Sequence, residues 1–216
     1  MKTFFQTCLL IGAVTFSNFA SAIVIGGGTN QSDACMPFGC ATGSGNYQQV
    51  YHISKFSYPI KIGGMRIFGA DYPFWENGDR PSLGHFTITL SSSQTWGAPF
   101  EDNIGYDSVV VFDGELPNLD ANGNLTFNFT NIFSYNPDPR RDLDLHMDIK
   151  WRDAYAPQRP FVFYTDDSSW SQKDGADGFI RYSGAITEFL EVPEPGSVAL
   201  LSIGLAGLVA RRRKRT

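Results

Sequence analysis

Hydrophobic and polar residues alternate with a period of two along most of the chain. The clearest run sets Leu143, Leu145, Met147, Ile149 and Trp151 on one face and Asp144, His146, Asp148, Lys150 and Arg152 on the other. Because successive side chains of a strand point to opposite faces, this run predicts a half-buried β-strand whose second face is solvated. Similar or shorter patterns predict eight more strands, at residues 47–54, 60–68, 86–90, 109–116, 125–129, 161–165, 179–182 and 186–192.

Short polar segments rich in Gly, Asn, Asp and Pro separate these strands, as at Asp113-Gly114 and Asn122-Gly123. No stretch carries apolar residues at the spacing of a convincing amphipathic helix. Many short alternating strands divided by turns are typical of an antiparallel sandwich. The sequence therefore predicts an all-β fold: a two-sheet antiparallel sandwich, jelly-roll-like, over residues 23–191, with a β-bulge at Gly63-Gly64.

The start of the chain has the composition of an export signal. Lys2 supplies a positive charge, residues 4–16 are mostly apolar, and Ala20-Ser21-Ala22 has the small residues behind which signal peptidase cuts. We predict a cleaved signal peptide at residues 1–22, with Ile23 as the first residue of the mature protein. The alternative is a buried N-terminal helix.

Three zones follow one another in residues 192–216. Val192-Pro193-Glu194-Pro195 comes first, and its prolines favour an extended backbone that displays Glu194. Residues 197–210 carry no charge and would span about 21 Å as a helix, against about 30 Å of hydrocarbon. The five cations near the end are Arg211, Arg212, Arg213, Lys214 and Arg215. This order predicts a short, marginal transmembrane segment that a cytoplasmic positive cluster stops.

The order of motif, apolar run and basic end resembles the PEP-CTERM sorting signal of exported bacterial proteins. The resemblance implies recognition of residues 192–195 by an exosortase, a membrane-embedded, cysteine transpeptidase-like enzyme. That enzyme removes the hydrophobic tail and passes the protein to the cell surface. Signal peptidase, exosortase and, transiently, the inner membrane would be the partners during processing. The alternatives are a single-pass anchor and a C-terminal core helix with a solvated basic end.

Charge and cysteine content narrow the class of protein. The chain has 17 Lys and Arg against 22 Asp and Glu, and residues 23–196 keep 11 of these cations and all 22 acids, a net charge of −11. Such a surface repels nucleic acids and anionic membranes, so no nucleic-acid partner is expected. Cys35 and Cys40 remain as a pair once Cys8 leaves with the signal peptide. Export favours a disulfide between them over a zinc site.

Sequence motifs of catalysis are not found. The sequence has no Gly-x-Ser-x-Gly elbow, no His-Glu-x-x-His and no phosphate loop, so we predict that the protein is not an enzyme. His52, His85 and His146 fall on separate predicted strands, where a solvated face is expected rather than a shared metal site. Acidic residues could still form a glycosidase pair, because sequence does not give their separation.

One polar cluster is a weak calcium candidate. Asp120, Asn122 and Asn124 place oxygen-bearing side chains at alternate positions of a tight turn. The pattern then departs from an EF-hand loop, which has Gly where Leu125 stands and Glu where Asn131 stands. A plain hairpin turn is the alternative, and no other metal or cofactor is predicted.

Three classes of function stay open. The first is an exported cell-surface or extracellular-matrix protein whose non-catalytic body has a structural or adhesive role. The second is a carbohydrate-binding module, because Trp75, Trp96 and Trp170 lie in or beside predicted loops where flat rings could stack on extracellular polysaccharide. Anchoring of those loops to the core is the simpler role for the tryptophans. The third is a secreted hydrolase.

Overall fold

β-Strands make up nearly all the regular structure of the described residues. The computed structural model describes residues 22–27, 32–35, 37–70, 78–94, 100–156, 161–167, 170–173, 180–181 and 184–192. The chain divides into two units, Ala20–Val192 and a second unit that joins Met1–Phe19 with Pro193–Thr216. The described residues all belong to the first unit, here called the β body.

The described part of the chain contains thirteen strands and two 3-10 helices. The strands are β1 (Ala22–Ile25), β2 (Ser32–Ala34), β3 (Gly43–Tyr51), β4 (Ile60–Ile67), β5 (Leu83–Ser93), β6 (Val109–Gly114), β7 (Leu125–Tyr135), β8 (Asp144–Tyr155), β9 (Phe163–Asp166), β10 (Trp170–Lys173), β11 (Ile180–Arg181), β12 (Gly184–Ala185) and β13 (Thr187–Glu191). The helices are Ile53–Lys55 and Phe100–Asn103. Each predicted strand overlaps one of these strands, which confirms the all-β class.

These strands pair antiparallel in three sheets. A six-stranded sheet has the order β11-β10-β3-β8-β5-β6, a four-stranded sheet has the order β1-β13-β4-β7, and a small sheet has the order β12-β9-β2. The small sheet departs from the predicted two: the sequence predicts β9, but its partners β2 and β12 have three and two residues and are too short for an alternation to show. The predicted bulge in β4 is confirmed by a register shift against β7 between Ile62 and Gly64.

The two larger sheets face each other across one hydrophobic core. Tyr51 of β3 and Phe189 of β13 pack edge to face with ring centroids 4.9 Å apart. Farther along the core, the ring of Phe38 lies 6.1 Å from Phe86 of β5 and 5.2 Å from Phe127 of β7. Side chains from both sheets therefore fill the same interior.

The alternation predicted that the outer face of β8 is solvated along its whole length. This prediction is wrong for the middle of the strand. His146 and Asp148 are buried, with exposed fractions of 3% and 4%. The segment at and after the 3-10 helix Phe100–Asn103 lies against this face: Gly105 N–H donates to Oγ of Ser91, the residue that pairs with His146. Asn103 is fully buried and donates from Nδ2 to Gln48 Oε1 at 2.9 Å, and Gln48 Nε2 donates to Asp148 Oδ1 at 2.8 Å. The alternation shows which side chains share a face, but it does not show that a loop crosses that face.

Within the described ranges, no helix has the length and apolarity needed to cross a membrane. The helices there are the two 3-10 turns, of three and four residues. The predicted signal peptide up to residue 21 and the predicted membrane segment at residues 197–210 lie outside the described residues.

Candidate sorting site at the end of the last strand

The last strand of the β body leads directly into the predicted sorting motif. β13 lies between β1 and β4 and pairs with both. On its inner face Phe189 is fully buried, and the hydroxyl of Thr187 shares a 2.7 Å hydrogen bond with Tyr51 Oη. On its outer face Glu188 Oε2 accepts a hydrogen bond from Arg66 Nη1 at 2.7 Å. Neighbours on both edges and both faces therefore fix this strand.

The contacts of the body extend to Val192, the first residue of the motif. Its N–H donates to the carbonyl of Lys61 at 2.8 Å. A Cβ placed on Gly63 would lie 2.4 Å from Val192 Cγ2, so the valine side chain occupies the space that this glycine leaves open. Pro193 has no N–H with which to continue the ladder. The strand therefore ends where the proline motif begins.

The first strand lies beside this point. β1 runs antiparallel to β13, with Ala22 opposite Leu190 and Ile23 opposite Phe189. Ile25 is buried, and Ile23 packs against the core. The residue after which signal peptidase is predicted to cut and the end of β13 therefore lie at the same end of one sheet. Sequence reasoning missed β1 because four residues directly behind an apolar leader give too short an alternation.

Most of the residues predicted to form sites lie outside the described residues. They are Pro193, Glu194, Pro195, Arg211, Arg212, Arg213, Lys214, Arg215, Trp75 and Trp96. Trp170 is the first residue of β10, where its backbone pairs with Val50 of β3. The sorting and sugar-binding roles of these side chains stay predictions.

The calcium candidate is built as a hairpin turn. Asp120 Oδ1 accepts the N–H groups of Asn122 at 2.8 Å and Asn124 at 2.9 Å, and Asn124 Nδ2 donates to Oδ2 at 3.3 Å. Burial acts to raise the pKa of Asp120, but these hydrogen bonds outweigh it and hold the pKa below its ordinary value. Across the described ranges, no three His, Cys, Asp or Glu side chains gather as metal ligands. The geometry favours the hairpin alternative.

The predicted disulfide between Cys35 and Cys40 is present, with Cα atoms 5.3 Å apart. Inside the loop that it closes, Gly39 N–H donates to the carbonyl of Cys35 at 2.6 Å. Gly39 lies so close to Phe161 that a Cβ would be 1.8 Å from the Phe161 carbonyl oxygen. Phe38, in the same turn, is fully buried. The disulfide therefore closes a local turn that inserts Phe38 into the core.

The three histidines have different environments. His52 Nδ1 accepts the N–H of Ser54 at 3.2 Å, and His85 Nε2 lies 2.8 Å from Asp113 Oδ1. His146 is buried, and neither of its ring nitrogens has a hydrogen-bond partner among the described residues. Loss of solvation lowers the pKa of His146 to about 4. The predicted solvated face is therefore wrong for His146.

Comparison with known families identifies the end of the chain. Residues 191–214 match the model of the PEP-CTERM protein-sorting motif, so the match starts at the last residue of β13 and takes in the proline motif and the apolar run. The class is thus an exported protein of the cell surface that an exosortase sorts. The chain carries a PEP-CTERM sorting motif, as the resemblance implied. No curated protein and no solved structure matched the chain.

Proposed function

We propose that this protein is an exosortase substrate whose β body is displayed at the cell surface or in the extracellular matrix as a non-catalytic structural or adhesive element. The observation that carries the proposal is the end of β13, which is fixed through Val192, while the matched region begins at Glu191 and continues into the proline motif. Proline has no N–H for a sheet ladder and favours an extended residue before it, so the sequence favours an accessible Glu194. An enzyme can then read Glu194 without unfolding the strand.

Export would take place in two steps. Signal peptidase removes residues 1–22, and the apolar run at residues 197–210 then stops in the inner membrane with its basic end in the cytoplasm. The precursor would stay there until the exosortase cuts it. Ala22 lies opposite Leu190, so the predicted signal-peptidase cut and the end of β13 lie at the same end of one sheet.

The use of carboxylates within the β body supports a non-catalytic role. Asp107 Oδ1 accepts the N–H of Ser92 at 2.8 Å, and Asp144 Oδ1 accepts the N–H of Ile53 at 2.8 Å. Asp120 holds its own hairpin in the same way. Carboxylates engaged by backbone donors order loops. We take the face-to-face packing of the two larger sheets as a jelly-roll-like β-sandwich that serves as a stable building block.

Changes in the tail test the proposal in a bacterium that has an exosortase. Glu194→Ala should leave an uncut precursor in the inner membrane, because the apolar run and the basic end are intact. Replacing the five terminal cations, Arg211, Arg212, Arg213, Lys214 and Arg215, by Ser should release the uncut precursor in soluble form, since nothing then stops the marginal segment. Immunoblots of membrane, soluble and surface fractions measure both outcomes.

The matched control is Glu188→Ala, which removes an acidic side chain from β13 just before the matched region. It should be cut and displayed like the wild type. If the Glu194→Ala protein is also cut and displayed like the wild type, the tail is a simple anchor and the proposal is wrong.

A further inference from the structure

A β-bulge turns a tyrosine out of the core at the end of β8. Trp151 and Ala154 both point inward, with exposed fractions of 5% and 7%, although three positions separate them. The extra residue is Asp153, which has a φ of 52° and shifts the alternation by one. Without it, Tyr155 would fall on the inner face with Trp151. With it, Tyr155 is 60% exposed.

The facing strand is shaped to accept this bulge. Gly84 of β5 lies opposite the bulge, where the register shifts between Leu83 and His85. Gly84 has a φ of 116°, and a Cβ there would lie 2.7 Å from Ala154 Cα. Leu83 pairs with Tyr155 and is 55% exposed. Two large apolar side chains thus lie side by side in solvent.

A row of hydrogen-bonding side chains continues the same outer face. Arg152 pairs with His85 across β8 and β5, and Thr87 pairs with Asp113 across β5 and β6. Thr87 Oγ1 donates to Asp113 Oδ1 at 2.7 Å, and His85 Nε2 lies 2.8 Å from the same oxygen. These hydrogen bonds, together with the positive charge of Arg152, hold the pKa of Asp113 below its ordinary value. Both of these hydrogen bonds from described residues go to Oδ1, so Asp113 Oδ2 can accept hydrogen bonds from a ligand.

We propose that this face binds a polysaccharide chain. One sugar ring would pack its C–H face on Tyr155 and Leu83, since aromatic rings present a flat apolar surface to such groups. A neighbouring ring would donate hydroxyls to Asp113 and accept hydrogen bonds from Arg152. The Tyr155 platform, defined as Leu83, His85, Thr87, Asp113, Arg152 and Tyr155, extends about 13 Å along the strands, enough for more than one ring.

The chemistry of the platform selects this occupant. Its apolar part is a single pair of side chains, whereas a stable protein interface needs a larger apolar centre. Its polar part offers a carboxylate acceptor, Asp113 on β6, and a planar cationic donor, Arg152 on β8, on either side of β5, and a sugar with several hydroxyls can use both. A polysaccharide would be the ligand of the proposed adhesive role. The inference rests on the proposed function in one respect, that the body is displayed where polysaccharide occurs. The platform contains none of the residues of the predicted sugar site, Trp75, Trp96 and Trp170.

The test is calorimetric titration of the mature protein, purified from exporting cells, with two polymers: a soluble neutral β-glucan and a soluble polyuronate. Tyr155→Ala should weaken binding about tenfold or more, because the stacking surface is lost. Tyr106→Ala is the matched control and should bind normally. Tyr106 is 92% exposed, and its neighbour Gly105 contacts Ser91, about 27 Å along β5 from Leu83.

The Arg152→Gln variant distinguishes an acidic polysaccharide from a neutral one as the ligand. A loss confined to the polyuronate means that the ligand is an acidic polysaccharide, and an equal loss with both polymers means that hydroxyls are read. Absence of binding to both polymers, or equal effects of Tyr155→Ala and Tyr106→Ala, overturns the proposal. Because binding is measured on purified protein, a failed sorting experiment would not change this result.

Discussion

Phe189→Ala perturbs the strand that leads into the sorting motif. Phe189 is fully buried, and its ring centroid lies 4.9 Å from that of Tyr51 and 6.1 Å from that of Phe56. Removing a buried phenylalanine leaves a cavity and lowers the free energy of unfolding by about 4 kcal/mol. Since domains of this kind are stable by about 5–15 kcal/mol, the loss is a large share of the total. We expect the urea midpoint of the mature protein to fall by about 2 M.

Leu190→Ala is the matched control on the next residue of β13. Leu190 points to the opposite face and is only partly buried, so its truncation should lower the free energy of unfolding by about 1 kcal/mol. Urea unfolding followed by tryptophan fluorescence measures both variants. Equal shifts for Phe189→Ala and Leu190→Ala would refute the assignment of the inner face of β13.

Three further predictions concern the interior of the β body. Leu145→Asp should lower the free energy of unfolding by several kcal/mol, since Leu145 is fully buried. Asp144→Leu should lower the free energy of unfolding by only about 2 kcal/mol, because one charged hydrogen bond to the backbone is lost. If chemical denaturation gives equal losses for the two variants, the inner and outer faces of β8 have been assigned wrongly. Mass spectrometry of non-reduced exported protein should show Cys35 linked to Cys40 in one chain, and two free thiols would contradict the bridge. The pKa of His146 is about 4 in the folded protein and about 6.5 in the unfolded chain. As the pH falls, the unfolded chain therefore binds the proton first, and the free energy of unfolding should fall by about 3 kcal/mol between these two pH values. His146→Phe should flatten that part of the pH profile, and an unchanged slope would rule out His146 as its source.

The predictable part of the fold is the part with long, regular alternation. β8 has apolar residues at every second position from Leu145 to Trp151, β7 has them from Leu125 to Phe129, and β4 has them on either side of its bulge, so the sequence located all three. β1, β2 and β12 have two to four residues each, and their place depends on partners far away in the chain. These segments are strands because they pair with β13 or β9, and their own sequence pattern does not predict it.

The sorting motif and the Tyr155 platform differ in how far sequence reveals them. The motif is continuous, so its order of prolines, apolar residues and cations is readable directly. The platform joins β5, β6 and β8 through their register, and it depends on a bulge at Asp153 for which β8 itself has no glycine; the matching glycine, Gly84, lies on β5. The one local signal was that Asp tolerates a positive φ better than most residues do. The burial of His146 escaped prediction for a related reason, since the covering segment lies about forty residues earlier in the chain.

The central claim is that an exosortase removes the tail that follows β13. Mass spectrometry of the C-terminal peptide of protein recovered from the cell surface tests it most directly. We predict that this peptide ends near Glu194 or Pro195 and that residues from Ser197 onward are missing. Recovery of residues 211–216 on mature, surface-located protein would contradict the claim.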